Sequence, residues 1–168
     1  PLYKGVPSIE EHRYKPTYIS VQELLVVGVD EIGIGDAYSP DEEILEMVNC
    51  NLDNIQIPVV LNDDLPVEVL NVVNGPHHSR PDQSKYQVRS SSRCKTPIEP
   101  NNNIGVKPFD VTIDNSLNLR YTGEVGIWLE AISELKEANV IGYISTYAYD
   151  LIKLLKPGTK FRFKIVNK

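Results

Sequence analysis

Short apolar runs flank a polar turn at two places in the sequence, and this pattern restricts the fold more than any other feature. The runs 55–61 and 67–73 lie on either side of residues 62–64, and residues 109–121 repeat the arrangement around residues 114–116. Short polar side chains bond the nearby backbone in turns, and runs of this length suit strands. Both segments therefore predict β-hairpins.

The spacing of apolar residues also predicts three helices. One begins near Ser39, where a proline takes the first helical position and acidic residues follow, and it ends near residues 49–51. A second helix is expected within residues 122–137. A third covers residues 143–155, before a Pro-Gly pair stops it.

Two further strands complete the predicted fold. Residues 18–29 form an apolar run typical of a buried strand, with a short helical turn over residues 21–26 as the alternative. Residues 159–166 alternate so that Phe161 and Phe163 point to one face. Hairpins outnumber the long crossovers that a parallel sheet needs. The expected fold class is α+β, with a mostly antiparallel sheet built from hairpins and about three helices packed against it.

The length favours a single domain behind an extended arm. A chain of 168 residues can bury a core without a metal or a disulfide. Residues 1–17 contain prolines and no clear period, which predicts an extended N-terminal arm, and residues 18–168 are expected to form a single α+β domain. No apolar run is long enough to cross a bilayer, so no transmembrane segment is expected.

Charge is distributed unevenly along the sequence. Residues 1–84 hold 4 Lys+Arg and 15 Asp+Glu, whereas residues 85–168 hold 13 and 8. Such asymmetry favours contact with a charged partner or with another copy of the chain. The net charge of −6 argues against nonspecific binding to a polyanion.

The sequence holds two cysteines, Cys50 and Cys94, which allow one disulfide at most. We expect both to be free thiols, one buried and one exposed. This expectation favours the cytoplasm or another reducing compartment.

No strong catalytic motif is present: the sequence lacks both a phosphate-binding GxxxxGK[ST] loop and a GxSxG nucleophile elbow. The residues best suited to acid–base work are His77 and His78, with Lys85 and Arg89 close behind in sequence. A set of this kind is typical of small metal-independent ribonucleases, which move a proton and stabilise a charged phosphate. We keep it as the alternative catalytic site.

Metal and cofactor binding are not expected. Only His77-His78 with Asp82 forms a dense ligand candidate, and adjacent histidines in a strand point to opposite faces, where they chelate poorly.

Nucleic-acid binding is a further alternative, because basic side chains neutralise phosphates and aromatic rings stack on bases. The alternation of residues 159–166 instead favours a solvated basic face above core phenylalanines. The candidate nucleic-acid-binding residues are Arg89, Arg93, Lys95, Lys160, Arg162 and Lys164.

One short stretch resembles a known family. Lys95-Thr96-Pro97, a proline-containing spacer and Lys107-Pro108-Phe109 before a hairpin are similar to a segment of the matrix proteins of animal rhabdoviruses. Those proteins are basic and associate with membranes, whereas this chain is acidic. The resemblance implies a viral structural protein, matrix-like or capsid-like.

The leading functional hypothesis is a non-enzymatic structural or interaction protein that acts by self-assembly or by binding another protein. Missing catalytic motifs, the arm, the long polar loops and the opposite charge of the two halves all favour it. The expected contact segments are residues 1–17, 74–84 and 90–107. The alternative is a nucleic-acid-binding protein or a small ribonuclease.

Overall fold

Seven strands of the described part of the chain form one mixed sheet that curls into a nearly closed barrel. The computed structural model describes residues 7–35, 38–82, 84–103 and 105–167. The strands run in the order β2-β7-β1-β6-β4-β5-β3. They are β1 Ile55–Leu61, β2 His77–His78, β3 Gln87–Arg93, β4 Asp110–Asp114, β5 Glu124–Trp128, β6 Ala138–Ile144 and β7 Lys160–Ile165.

The two edge strands of the sheet approach each other. A backbone bridge joins Ser79, just after β2, to Ser90 in β3, and the Arg80 amide donates to the Arg89 carbonyl at 2.8 Å. These bonds satisfy backbone groups that an open edge would leave exposed. They also place the chain after β2 along the edge of β3.

Helices accompany the sheet within the described residues. They are α1 Thr17–Val27, α2 Asp41–Val48, α3 Val67–Val73 and α4 Tyr149–Leu154, with short 3-10 turns at Glu10–His12, Ser116–Tyr121 and Thr146–Ala148. Helix α1 packs against α2 and α4. It ends at Gly28, whose φ of 98° is left-handed and allows the last carbonyls to be capped.

The core lies inside the barrel and under α1 and α4. Ile57, Val111, Ile113 and Ile127 point inward from the strands, and Leu151 closes the core from α4; all five are at most 1% exposed. Burial of alternate residues follows from the period of two along a strand. The intervening residues of β3, β4 and β5 therefore lie on the outer face.

The predicted fold class is wrong. The sheet is mixed rather than mostly antiparallel and hairpin-built: β7 runs parallel to β1 and lies between β1 and β2. Four α-helices, not about three, accompany it within the described residues. Local turn signals indicated hairpins, but pairing between distant segments dominates this sheet.

Several individual elements differ from the predicted ones for the same reason. Residues 18–29 and 67–73, expected as strands, lie in α1 and α3, while the helix expected within residues 122–137 is replaced by β5. Residues 143–155 divide between β6 and α4. Strands were correctly predicted at β1 and β7, as was the helix at α2.

Some predicted features extend beyond the described residues. Residues 1–6, 36, 37, 83, 104 and 168 lie outside them, so the arm and the two contact loops are described only in part. The division into an arm and a domain stays a prediction. No helix of the described segments combines the length and the hydropathy needed to span a bilayer.

Candidate functional site

A polar patch occupies the outer face where β3, β4 and β5 run side by side. In the register of the sheet, Arg93 of β3 pairs with Glu124 of β5. Ile113 pairs with Val125, which places Asp114 and Glu124 next to each other on adjacent strands. The inward neighbours Ile113 and Val125 are core residues, so the polar side chains share the opposite face.

Three arginines converge on Glu124, whose exposure is only 2%. Arg80 Nη1 donates to Glu124 Oε1 at 2.9 Å, and Arg89 Nη2 donates to Glu124 Oε2 at 2.5 Å. Arg93 Nη2 donates to Oε1 as well. We call Arg80, Arg89, Arg93 and Glu124 the arginine cluster.

Each arginine of the cluster has a second contact that orients it. Both Nε and Nη2 of Arg80 donate to the carboxylate of Asp82 at 2.8 Å, and Arg93 Nη1 donates to the Arg120 carbonyl at 2.7 Å. The guanidinium carbon of Arg89 lies 4.8 Å from the centre of the Tyr121 ring. The guanidinium groups are thus positioned before any ligand arrives.

The cluster carries more positive than negative charge. Glu124 offers one carboxylate to three guanidinium groups, and the Asp82 carboxylate offers a second at the rim. The hydrogen bonds from Arg80 lower the pKa of Asp82, so that this carboxylate stays ionised. The side chain of Arg93 is 43% exposed and that of Arg89 is 19% exposed, so solvent reaches both.

Asp114 adds a proton-carrying group beside the cluster. Burial raises the pKa of Asp114 to about 7, and repulsion from Glu124 acts in the same direction. The Asn118 amide, which donates to Asp114 Oδ2 at 2.8 Å, lowers the pKa by a smaller amount, as do Arg89 and Arg93. Near neutral pH this carboxyl therefore exists in both protonation states.

A separate cleft of about 520 Å³ lies between the loop after β1 and the loop after β3. Asn62, Asn102 and Asn139 contribute amides to it, while Asp64 and Glu99 place carboxylates in its wall. Its acidic wall disfavours anions. Within the described residues, no group of three or more His, Cys, Asp or Glu side chains is arranged to hold a metal ion.

The predicted acid–base set is divided by the fold. His77 is fully buried, stacked on Phe161 at 5.1 Å and edge-on to Phe163 at 4.9 Å. Burial lowers the pKa of His77. His78 is exposed, Lys85 lies over the Tyr86 ring, and only Arg89 joins the arginine cluster. Their catalytic role stays a prediction.

The predicted nucleic-acid-binding residues fall into two separate groups. Arg89 and Arg93 belong to the arginine cluster, and Lys95 is exposed in the loop that follows β3. The other three lie on β7: Lys160 pairs with Asp53 at 2.7 Å, Lys164 lies 4.0 Å from the Tyr18 ring centre, and Arg162 is exposed. Their role in nucleic-acid binding stays a prediction.

Comparison with known proteins identifies two family models that together match most of the chain. The family model described as 6-phospho-N-acetylmuramidase, C-terminal, matches residues 55–164, and the model described as 6-phospho-N-acetylmuramidase, N-terminal, matches residues 1–49. No curated protein matches the sequence.

Two solved structures share the fold. An uncharacterized Bacillus cereus protein is similar at a TM-score of 0.82 and 26% identity, over 94% of this chain and 47% of that one. A conserved Enterococcus faecalis protein of unknown function is similar at a TM-score of 0.77 and 23% identity, over 98% and 46%. The chain thus spans about half the length of these relatives.

Proposed function

This chain belongs to the 6-phospho-N-acetylmuramidase family, and on that premise we propose that it takes part in hydrolysing glycosides of 6-phospho-N-acetylmuramic acid. Within this activity we assign the arginine cluster to binding the anionic groups of the sugar.

The family membership corrects the functional predictions made from the sequence. The chain was expected to be a non-enzymatic, self-assembling structural protein, with a viral matrix-like protein as one version. Both of its family matches are to domains of a glycosidase, which is an enzyme. The likeness to viral matrix proteins was carried by common dipeptides and prolines, which specify neither a fold nor a site.

The chemistry of the sugar supports an anion-binding role. A 6-phosphorylated muramic acid carries a phosphate and a lactyl carboxylate, and arginine binds both groups through paired N–H donors. Arg89 uses one of its five N–H donors on Glu124 in the part of the chain that the structure describes. The Tyr121 ring orients the guanidinium group of Arg89, and the Arg120 carbonyl orients that of Arg93.

The single observation that carries the proposal is the convergence of three guanidinium groups on one buried carboxylate. Holding like charges close together is costly unless an anion lies among them. Glu124 supplies one anion, and the surplus positive charge favours another. Because both Glu124 oxygens already accept guanidinium hydrogen bonds, we assign this residue to orienting the arginines rather than to proton transfer.

Contact with a protein partner or a second copy of the chain is a separate proposal. Leu45 and Val48 of α2 are 60% and 70% exposed, which leaves apolar surface for such a contact. Light scattering over a range of concentrations tests self-association. Nucleic acid stays the alternative partner through the basic face of β7.

Titration calorimetry with N-acetylmuramic acid 6-phosphate and with unphosphorylated N-acetylmuramic acid tests the anion-binding proposal. We expect the phosphorylated sugar to bind more tightly. Replacing Arg89 by Gln should weaken its binding about 10- to 100-fold, because a hydrogen bond to a charged group contributes about 1.5–3 kcal/mol.

Arg162→Gln is the matched control, since Arg162 is an exposed arginine on β7, away from the cluster. It should leave the affinity unchanged. Equal affinity of the wild-type chain for both sugars, or an equal loss in both variants, would exclude the arginine cluster as the phosphate site.

A further inference from the structure

Asp114 is a buried carboxyl of the outer face to which no arginine donates directly within the described residues. It faces Glu124 across the β4–β5 pair, and its Oδ2 accepts from the Asn118 amide at 2.8 Å. The side chain is 9% exposed, so it lies at the wall of the arginine cluster rather than in solvent.

We propose that Asp114 determines which charge state of an anion the arginine cluster accepts, by taking up a proton when a phosphate dianion binds. The inference rests on the proposed function, because it requires an anion at Arg89 and Arg93. It adds a specificity-determining residue that does not itself contact the arginines.

Charged groups face Asp114 from two directions. Glu124 approaches from β5 and repels an ionised Asp114, whereas Arg89 and Arg93 approach from β3 and attract it. Asn118 contributes a neutral donor from the Ser116–Tyr121 turn. A bound dianion would occupy the arginines and add like charge on the same side, so both changes favour the protonated carboxyl.

The coupling has a calculable size. With a pKa of about 7 in the free protein, about one Asp114 in eleven carries a proton at pH 8, so binding should take up about 0.9 proton. Phosphate monoesters have a second pKa of about 6 and are dianions at pH 8, so the ligand itself releases almost nothing. Affinity should be lowered about 10-fold at this pH by the proton uptake.

The experiment is calorimetric titration with N-acetylmuramic acid 6-phosphate at pH 8 in two buffers of different ionisation enthalpy. The difference between the two observed heats gives the number of protons exchanged. We expect about 0.9 proton taken up by the wild-type chain and about zero by Asp114→Asn. The variant should also bind about 10-fold more tightly than wild type at pH 8, and about equally at pH 6.

Asp53→Asn is the matched control, because Asp53 is also a carboxylate held ionised by a basic partner, Lys160, but lies outside the cluster. It should keep the proton uptake of the wild type. Binding without proton uptake, or uptake that persists in Asp114→Asn, overturns this inference and leaves the anion site intact. No preference for the phosphorylated sugar overturns both proposals.

Discussion

Replacing Glu124 by Gln tests whether this carboxylate holds the arginine cluster together. The change keeps the size of the side chain and one acceptor oxygen, but it removes the negative charge. The guanidinium groups of three arginines then face one another without a carboxylate between them. These arginines are Arg80, Arg89 and Arg93. We expect the folded chain to be less stable and to bind free anions more readily.

The magnitude follows from the contacts. Hydrogen bonds to charged groups contribute about 1.5–3 kcal/mol each, but the arginine side chains are 19–43% exposed and regain water when released. Loss of the repulsion between Glu124 and Asp114 offsets a further part of this cost. The net fall in unfolding free energy should therefore be about 2–3 kcal/mol, or about 5–10 °C in Tm for a chain of this size.

Thermal and urea unfolding, each with and without 50 mM sulfate, provide the assay. Sulfate should raise the Tm of Glu124→Gln more than that of wild type, because the ion can take the vacated place among the arginines. Glu134→Gln, a change at an exposed glutamate outside the cluster, is the control. It should change neither the stability of the chain nor the effect of sulfate on its Tm.

A fall of less than about 0.5 kcal/mol would refute the reasoning, since such a value is typical of any surface substitution. An equal sulfate effect on the variant and wild type would show that the arginines do not form an anion site when Glu124 is neutral.

Three further predictions concern stability. Gly123→Ala should lower the unfolding free energy by at least about 2 kcal/mol, because φ is +83° and a Cβ would lie 2.3 Å from the Cys94 carbonyl oxygen. Gly33→Ala, with open space around it, should lower it little, and urea unfolding of the two variants provides the comparison. The chain should lose stability as pH falls below about 6.5, because buried His77 has a lowered pKa and the unfolded chain protonates first; His77→Gln should flatten this dependence in melts from pH 5 to 8. Asp114 has a raised pKa, so the stability that this carboxyl contributes is present below about pH 4 and is lost as the pH rises to about 7. The unfolding free energy of Asp114→Asn should therefore rise by about 2–4 kcal/mol relative to that of wild type between pH 4 and 8, and a constant difference would contradict the raised pKa of Asp114.

The sequence predicted elements well where one face meets water. In β7, buried Phe161 and Phe163 alternate with exposed Lys160 and Arg162, so the period of two is visible. All five residues of β5 are buried, so no alternation marks it, and the chance spacing of Val125 and Trp128 indicated a helix.

The prediction of strands at α1 and α3 was wrong for a related reason. Both are rich in valine and other strand-favouring residues, and α1 is apolar on more than one face because α2 and α4 cover it. Tertiary packing overrode the local preference in each case.

The candidate site could be found only in part. Arg89 and Arg93 lie in the basic stretch that the sequence analysis selected, although for nucleic acid rather than for a phosphorylated sugar. Arg80 and Glu124 were missed, because 44 residues separate them and their contact depends on the barrel closing. A glutamate within a run of apolar residues was the available signal, and the assignment of that run to a helix concealed it.

The place of β7 has a consequence for how the barrel is made. This strand fills the gap between β1 and β2, yet it is the last of the seven to be synthesised. Until it arrives, β1 and β2 present unpaired edges, and the core phenylalanines Phe161 and Phe163 are missing. A ribosome paused before residue 160 would therefore hold an open, aggregation-prone sheet, and the anion site would form late, with barrel closure.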